Sequence, residues 1–320
     1  MLPAMAVAML IACLTAGIAY FSARPPVDSA TGLDLAAALE QAHREKKPLL
    51  VVFTHPSAAL AQRMAETISA LPVVEFLRVH YVTLTLDSVV GAGYFRRWLG
   101  GAGLLGSCVL DVDRDSEPSV VAALPGFAEA PAYLQFLAEV SRNVPSIRQL
   151  RTLTSSSPEA RLALGDLYRT SGNLLGARAS FSSVTIPLNL RAEGLERLAR
   201  LDVDEGRITE ARQTLVRARA LKIEPPSERL VFTEGSLLSA ERHVDEAVTA
   251  LERGLPFVRS PAERGQCLLL LADLNHELGR DPQAFEQLAR LSDPAFGTTF
   301  QRAADERVSH LLHPDPGHVH

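Results

Sequence analysis

One alanine recurs four times in the second half of this chain in the same company. A small residue stands twelve positions before it, usually a glycine five before it, and a bulky apolar residue four after it. The copies are Gly165, Gly172, Ala177 and Phe181; Ala199, Gly206, Ala211 and Leu215; Gly235, Arg242, Ala247 and Leu251; and Ala272, Gly279, Ala284 and Leu288. The periods are 34, 36 and 37 residues, with amphipathic stretches separated by short polar breaks. A period of that size accommodates two short helices and their turns, and a unit of two helices must stack on its neighbours to bury its apolar faces. The small residue would let the first helix of a pair approach the second. The bulky residue is expected to fill the space between pairs.

The pattern resembles the tetratricopeptide repeat, and Leu162-Ala163-Leu164-Gly165-Asp166-Leu167-Tyr168 is its clearest unit. The resemblance implies a superhelix whose first helices line an inner curve that holds another protein. With Gly165 and Tyr168 packing, the polar neighbours Asp166 and Arg169 are expected to face that partner.

Residues 33–143 read differently. Leu33 to His43 carries apolar residues at helical spacing, and Lys47-Pro48 stops it. Leu49 to Phe53 is an unbroken apolar run, as expected of a strand covered on both faces. Ser57 is placed to cap a helix from Ala58 to about Ser69. A strand from Val79 to Leu86, a short helix from Tyr94 to Leu99, strands at Ser107–Val112 and Ser119–Leu124 and a helix at Pro131–Val140 complete one small sheet with helices on both faces. Asp111 to Asp115 lacks the central Gly and the closing Glu of a calcium loop and reads as a polar hairpin turn.

This stretch resembles the thioredoxin superfamily. Lys47 to Phe53, the junction Thr54-His55-Pro56-Ser57 running to Met64, Val82 to Asp87, Cys108 to Asp111 and Gly126-Phe127 carry the likeness. It implies a Cys-x-x-Cys pair three residues before the Met, at positions occupied here by Ala58 and Ala61. The acid such enzymes bury beneath the pair falls on Val52, and the cis-proline facing it falls near Leu105. Disulfide exchange needs a thiolate at a helix N-terminus and a second, resolving thiol, and alanine supplies neither. A degenerate redox site is therefore expected, with His55 and Ser57 at its mouth as possible binding residues.

From Leu2 to Ala23 no side chain is charged, which matches a membrane anchor or signal segment at residues 1–23 followed by a linker at 24–32. The soluble body is expected to be membrane-associated and extracytoplasmic or periplasmic, although Arg24, the one close charge, argues for the other side. Residues 24–141 carry 9 basic and 13 acidic side chains and residues 142–320 carry 23 and 24, so neither half has the basic footprint of a nucleic-acid binder. Cys13, Cys108 and Cys267 are isolated in apolar runs, with no spacing for a disulfide framework or zinc site. His310, His313, His318 and His320 crowd the end, the last two in a tail at 314–320 that follows the repeats of 144–313. No cofactor or metal is expected.

The expected fold is thus a thioredoxin-like α/β domain followed by an all-α repeat superhelix. The expected function is that of a non-catalytic, membrane-tethered scaffold subunit docking one or more proteins. The alternative is a holdase-type chaperone combining the same two modules, and a thiol-disulfide oxidoreductase is the third class.

Overall fold

The structure, a computed structural model, describes residues 32–55, 59–100, 105–112, 117–222 and 228–313. The anchor or signal segment, Ser57, Ala58, most of the acidic turn, and His318 and His320 lie outside these residues. Among the described residues no helix is long and apolar enough to cross a membrane. The chain divides into two compact units, Met1–Pro145 with Ser171–Asn173, and the remainder from Ser146.

The first unit is an α/β fold. Its elements are α1 (Gly32–Glu45), β1 (Leu49–Thr54), α2 (Ala59–Ser69), α3 (Leu71–His80), β2 (Val82–Asp87), α4 (Ala92–Leu99), β3 (Gly106–Asp111), β4 (Ser119–Pro125) and α5 (Ala130–Leu153), which runs on across Pro145. The sheet is mixed, in the order β2-β1-β3-β4, with β1 parallel to β2 and antiparallel to β3. β3 and β4 are antiparallel, with an irregularity at Val109/Leu110.

Because β1 is internal, its alternate side chains bury on opposite faces. Leu49, Val51 and Phe53 join Leu35 and Ala42 of α1 and Phe95 and Trp98 of α4 in one core. On the other face Ser107, paired with Val52 across the strands, shares a 2.8 Å hydrogen bond with the buried Tyr133 hydroxyl of α5. Each large apolar side chain so buried contributes about 1.5–3 kcal/mol.

Two expectations need correction. Val79 and His80 do not open a strand, because they form the last turn of α3. That helix carries Pro72 in its first turn and buries Val73 and Leu77 at helical spacing. From Val82 the alternation holds, with Val82, Leu84 and Leu86 buried. The helix expected to end at Val140 continues to Leu153. Pro145 removes one backbone donor, and the buried Val144 and Ile147 flank it.

The second unit is helical: α6 (Pro158–Thr170), α7 (Leu174–Ser182), α8 (Leu188–Asp204), α9 (Ile208–Arg219), α10 (Glu228–Ala240), α11 (Val244–Gly254), α12 (Pro261–Glu277), α13 (Asp281–Arg290) and α14 (Gly297–Leu312). Connections of three residues fold α6 on α7, α8 on α9, α10 on α11 and α12 on α13. Ala177, Ala211, Ala247 and Ala284 are all fully buried. The bulky residue four positions on does not lie only between pairs. The Phe181 ring occupies the place where Gly165 lacks a side chain, and Leu251 does the same over Gly235, each within its own pair.

The position five before each alanine is the left-handed turn residue, with φ of 74° at Gly172, 71° at Gly206, 65° at Arg242 and 70° at Gly279. After it the chain closes a helix C-terminal motif in which Arg207, His243 and Arg280 donate their amides to the carbonyls of Asp202, Leu238 and Asn275. Of these four, Arg242 adopts this conformation with a Cβ, and its ion pair with Glu277 is exposed. Arg242→Gly is therefore expected to stabilise the helical unit by about 1 kcal/mol, read as a raised midpoint in urea unfolding. A lowered midpoint would show that the Glu277 contact outweighs the backbone strain.

Neighbouring pairs are joined by ion pairs between residues about one repeat apart. Arg212 meets Glu241, Arg280 meets Asp245 at 2.8 Å, and Arg307 of α14 meets Asp273 at 2.7 Å.

Candidate functional site

The first helix of each pair contributes to one recess of about 130 Å³ in the helical unit. α6 supplies Asp166 and Arg169, α8 supplies Glu196, Arg197 and Arg200, α10 supplies Arg229, Phe232 and Thr233, and α12 supplies Glu263 and Gln266. Within each helix these residues are one, three or four positions apart, so they share a face. The opposite side of the helix is apolar, which is why the polar face is left for the recess.

Four guanidinium groups and three carboxylates line the wall. Arg197 is the hub on one side: its Nε is 3.1 Å from Asp166 of α6, and its other nitrogen is 2.9 Å from Glu193 one turn away. Arg229 continues the chain, 3.9 Å from Asp166 and 2.9 Å from Glu263 of α12. On the other side Arg200 is 2.9 Å from Asp204, which Arg169 approaches only to 3.5 Å. The Arg200 guanidinium also lies 3.8 Å from the centroid of the Phe232 ring, a cation–π contact that covers the apolar residue of the wall. These pairs are partly exposed and contribute about 0–1 kcal/mol each, so they fix side-chain geometry more than they stabilise the fold.

Asp166 and Arg169, the two residues picked from the first repeat, both stand in this wall. Gly165 and Tyr168 point the other way and are buried, and the Tyr168 hydroxyl accepts a 2.8 Å hydrogen bond from Arg151. The sequence reading missed the other eight lining residues. The signal was present but shifted: Asp166 and Arg169 follow the small residue Gly165, whereas Glu263 and Gln266 precede its counterpart Ala272 by nine and six positions. The lining moves toward the start of the first helix from pair to pair.

Val52 is fully buried in the middle of β1, Leu105 is buried ahead of β3, and Ala61 and His55 are half-buried. Cys108 faces Val51 across the strands and is fully buried, which pushes its thiol far above the usual range. Burial, reinforced by the nearby Glu263 carboxylate, pushes the Cys267 thiol up to about 12. Neither sulfur is a thiolate near neutral pH. Among the described residues no group of three or more His, Cys, Asp or Glu side chains is placed to hold a metal ion. No family model and no curated protein sequence matches the chain.

Proposed function

We propose that this protein is a non-catalytic interaction subunit in which tetratricopeptide-type helix pairs hold a segment of a partner protein. A thioredoxin-like domain without its cysteine pair serves as a second contact around His55, Ser57 and Leu105, and residues 1–23 tether the chain to a membrane. The recess built from all four first helices carries this reading. The uncharged run from Leu2 to Ala23 supports the tether. The wall is charged and its one aromatic residue is capped by Arg200. Such a wall suits one partner with matching polar groups, whereas a holdase that accepts many unfolded chains needs an exposed apolar stripe. The alanines at positions 58 and 61 speak against thiol-disulfide exchange.

Purification of the full-length chain from membranes in mild detergent is expected to bring down one partner in stoichiometric amount. A scatter of unrelated proteins in trace amounts would favour the chaperone reading instead. A chain that stays in the soluble fraction and purifies alone would defeat both the tether and the docking role.

A further inference from the structure

We propose that the turn at Val89 and Val90, which follows β2, touches the interfacial layer of a lipid bilayer. The inference rests on the tether reading above. It starts from topology. A three-residue connection joins α1 to β1, and α1 packs on that strand through Leu35 and Ala42, so the helix runs back along it. Its first residue, Gly32, therefore lies at the end where β1 stops at Thr54. β2 is parallel to β1 and stops there too, which puts the turn after Asp87 at the point where the chain arrives from its N-terminal segment. Eight residues separate Ala23 from Gly32, a reach of at most about 32 Å.

The two ends of the unit differ in chemistry. At this end Val89 is 61% exposed, Val90 72% and Tyr94, in the first turn of α4, 40%, and Leu60 in the first turn of α2 is exposed as well. The charged groups here are engaged. Arg63 pairs with Glu129, and the Asp87 carboxylate accepts from the amides of Val89 and Val90. The opposite end carries His43, Arg44, Lys46, Lys47, Arg78 and His80, with Glu45 and the exposed Val79 among them. An amphipathic Tyr beside exposed apolar side chains suits the bilayer interface.

Backbone polarity permits this placement, because an amide without a partner is costly away from water. In this turn Ser88 donates to the Thr54 carbonyl at 2.7 Å and Gly91 to the Asp87 carbonyl at 2.7 Å. Val89 and Val90 donate to Asp87 Oδ1 at 2.7 and 3.4 Å. All four backbone amides are satisfied, by Thr54 and Asp87, so the turn presents two bare valines without stranding a backbone donor, although the Ser88 hydroxyl is buried with no partner.

The test uses the full chain with Cys13→Ala, which leaves the buried Cys108 and Cys267 as background, reconstituted in phosphatidylcholine vesicles containing a nitroxide-bearing lipid. A fluorophore on Val90→Cys is compared with one on Val79→Cys, which is 64% exposed in the last turn of α3 at the opposite end, about 20 Å away along β2. Quenching of about half the Val90 emission and about a tenth or less of the Val79 emission is expected. If the chain floats with the vesicles but the Val90 probe is not quenched beyond the Val79 probe, the membrane-contact inference is wrong while the tether stands, and the apolar turn is left to a protein partner. If the chain does not float at all, the tether reading fails and this inference fails with it.

Discussion

Gly165→Leu is expected to destabilise the helical unit by about 1–3 kcal/mol, lowering its melting temperature by several degrees, with any loss of partner binding secondary. An ideal Cβ at Gly165 would already lie 2.6 Å from Cδ1 and 3.0 Å from Cζ of Phe181, closer than non-bonded carbons approach. The ring cannot retreat easily, because Phe181 is fully buried. The better helix propensity of leucine, somewhat under about 1 kcal/mol over glycine, is too small to offset that overlap. Phe181→Ala alone should cost about 3–5 kcal/mol through the cavity it leaves. The pair should be strongly non-additive: Gly165→Leu in the Phe181→Ala background is expected to be neutral or stabilising, since the leucine then fills the vacated space. Thermal unfolding of the two single variants and the double variant checks this. Simple additivity would mean that the glycine is not there to seat the ring. Gly235 and Leu251 have the same geometry and should behave alike.

Reversing two groove charges, Arg169→Glu with Arg229→Glu, is expected to weaken partner binding by about 10- to 100-fold, or 1–3 kcal/mol, if the partner meets these groups out of water. Stability should change by only about 1 kcal/mol, because the two side chains are 34% and 37% exposed and their ion pairs are weak. Arg197 is the wrong choice for the same experiment. It is only 11% exposed and bridges Asp166 and Glu193, so reversing it would test folding and binding at once. Affinity by calorimetry and midpoint by thermal unfolding, measured on the same preparations, keep the two effects apart. Should the double reversal leave affinity untouched while substitutions at His55 and Leu105 abolish it in a stable protein, the helix pairs would be a spacer and the α/β unit the binding module.

The four alanines, the small residues twelve before them and the turn positions five before them were readable from spacing alone, because helix packing and left-handed turns each demand a particular residue size at a fixed place. Even Arg242 was found by position when its residue type gave no hint. β1 was legible for a related reason: an unbroken apolar run fits only a strand covered on both faces. α3 was not, since Val73, Phe76 and Leu77 fit a helix while Val79 to Leu86 alternates like a strand, and local pattern could not say where one period gives way to the other. Pro145 posed the same problem, because a proline that ends most helices is tolerated when the residues on either side bury.

The amino-acid sequence by itself determined the order of the elements apart from α3, the helix pairing in the second half and the absence of cysteine from positions 58 and 61. Only the tertiary structure decided which polar residues share the recess. Successive pairs stack with an offset of about one helical turn, so the face that meets the recess slides from the residues after Gly165 to those well before Ala272. The pairs meet through close contacts such as Gly194 of α8 against the Phe181 carbonyl and the Leu162 side chain of the pair before it. No single repeat contains that information, because it arises only when one pair is laid on the next.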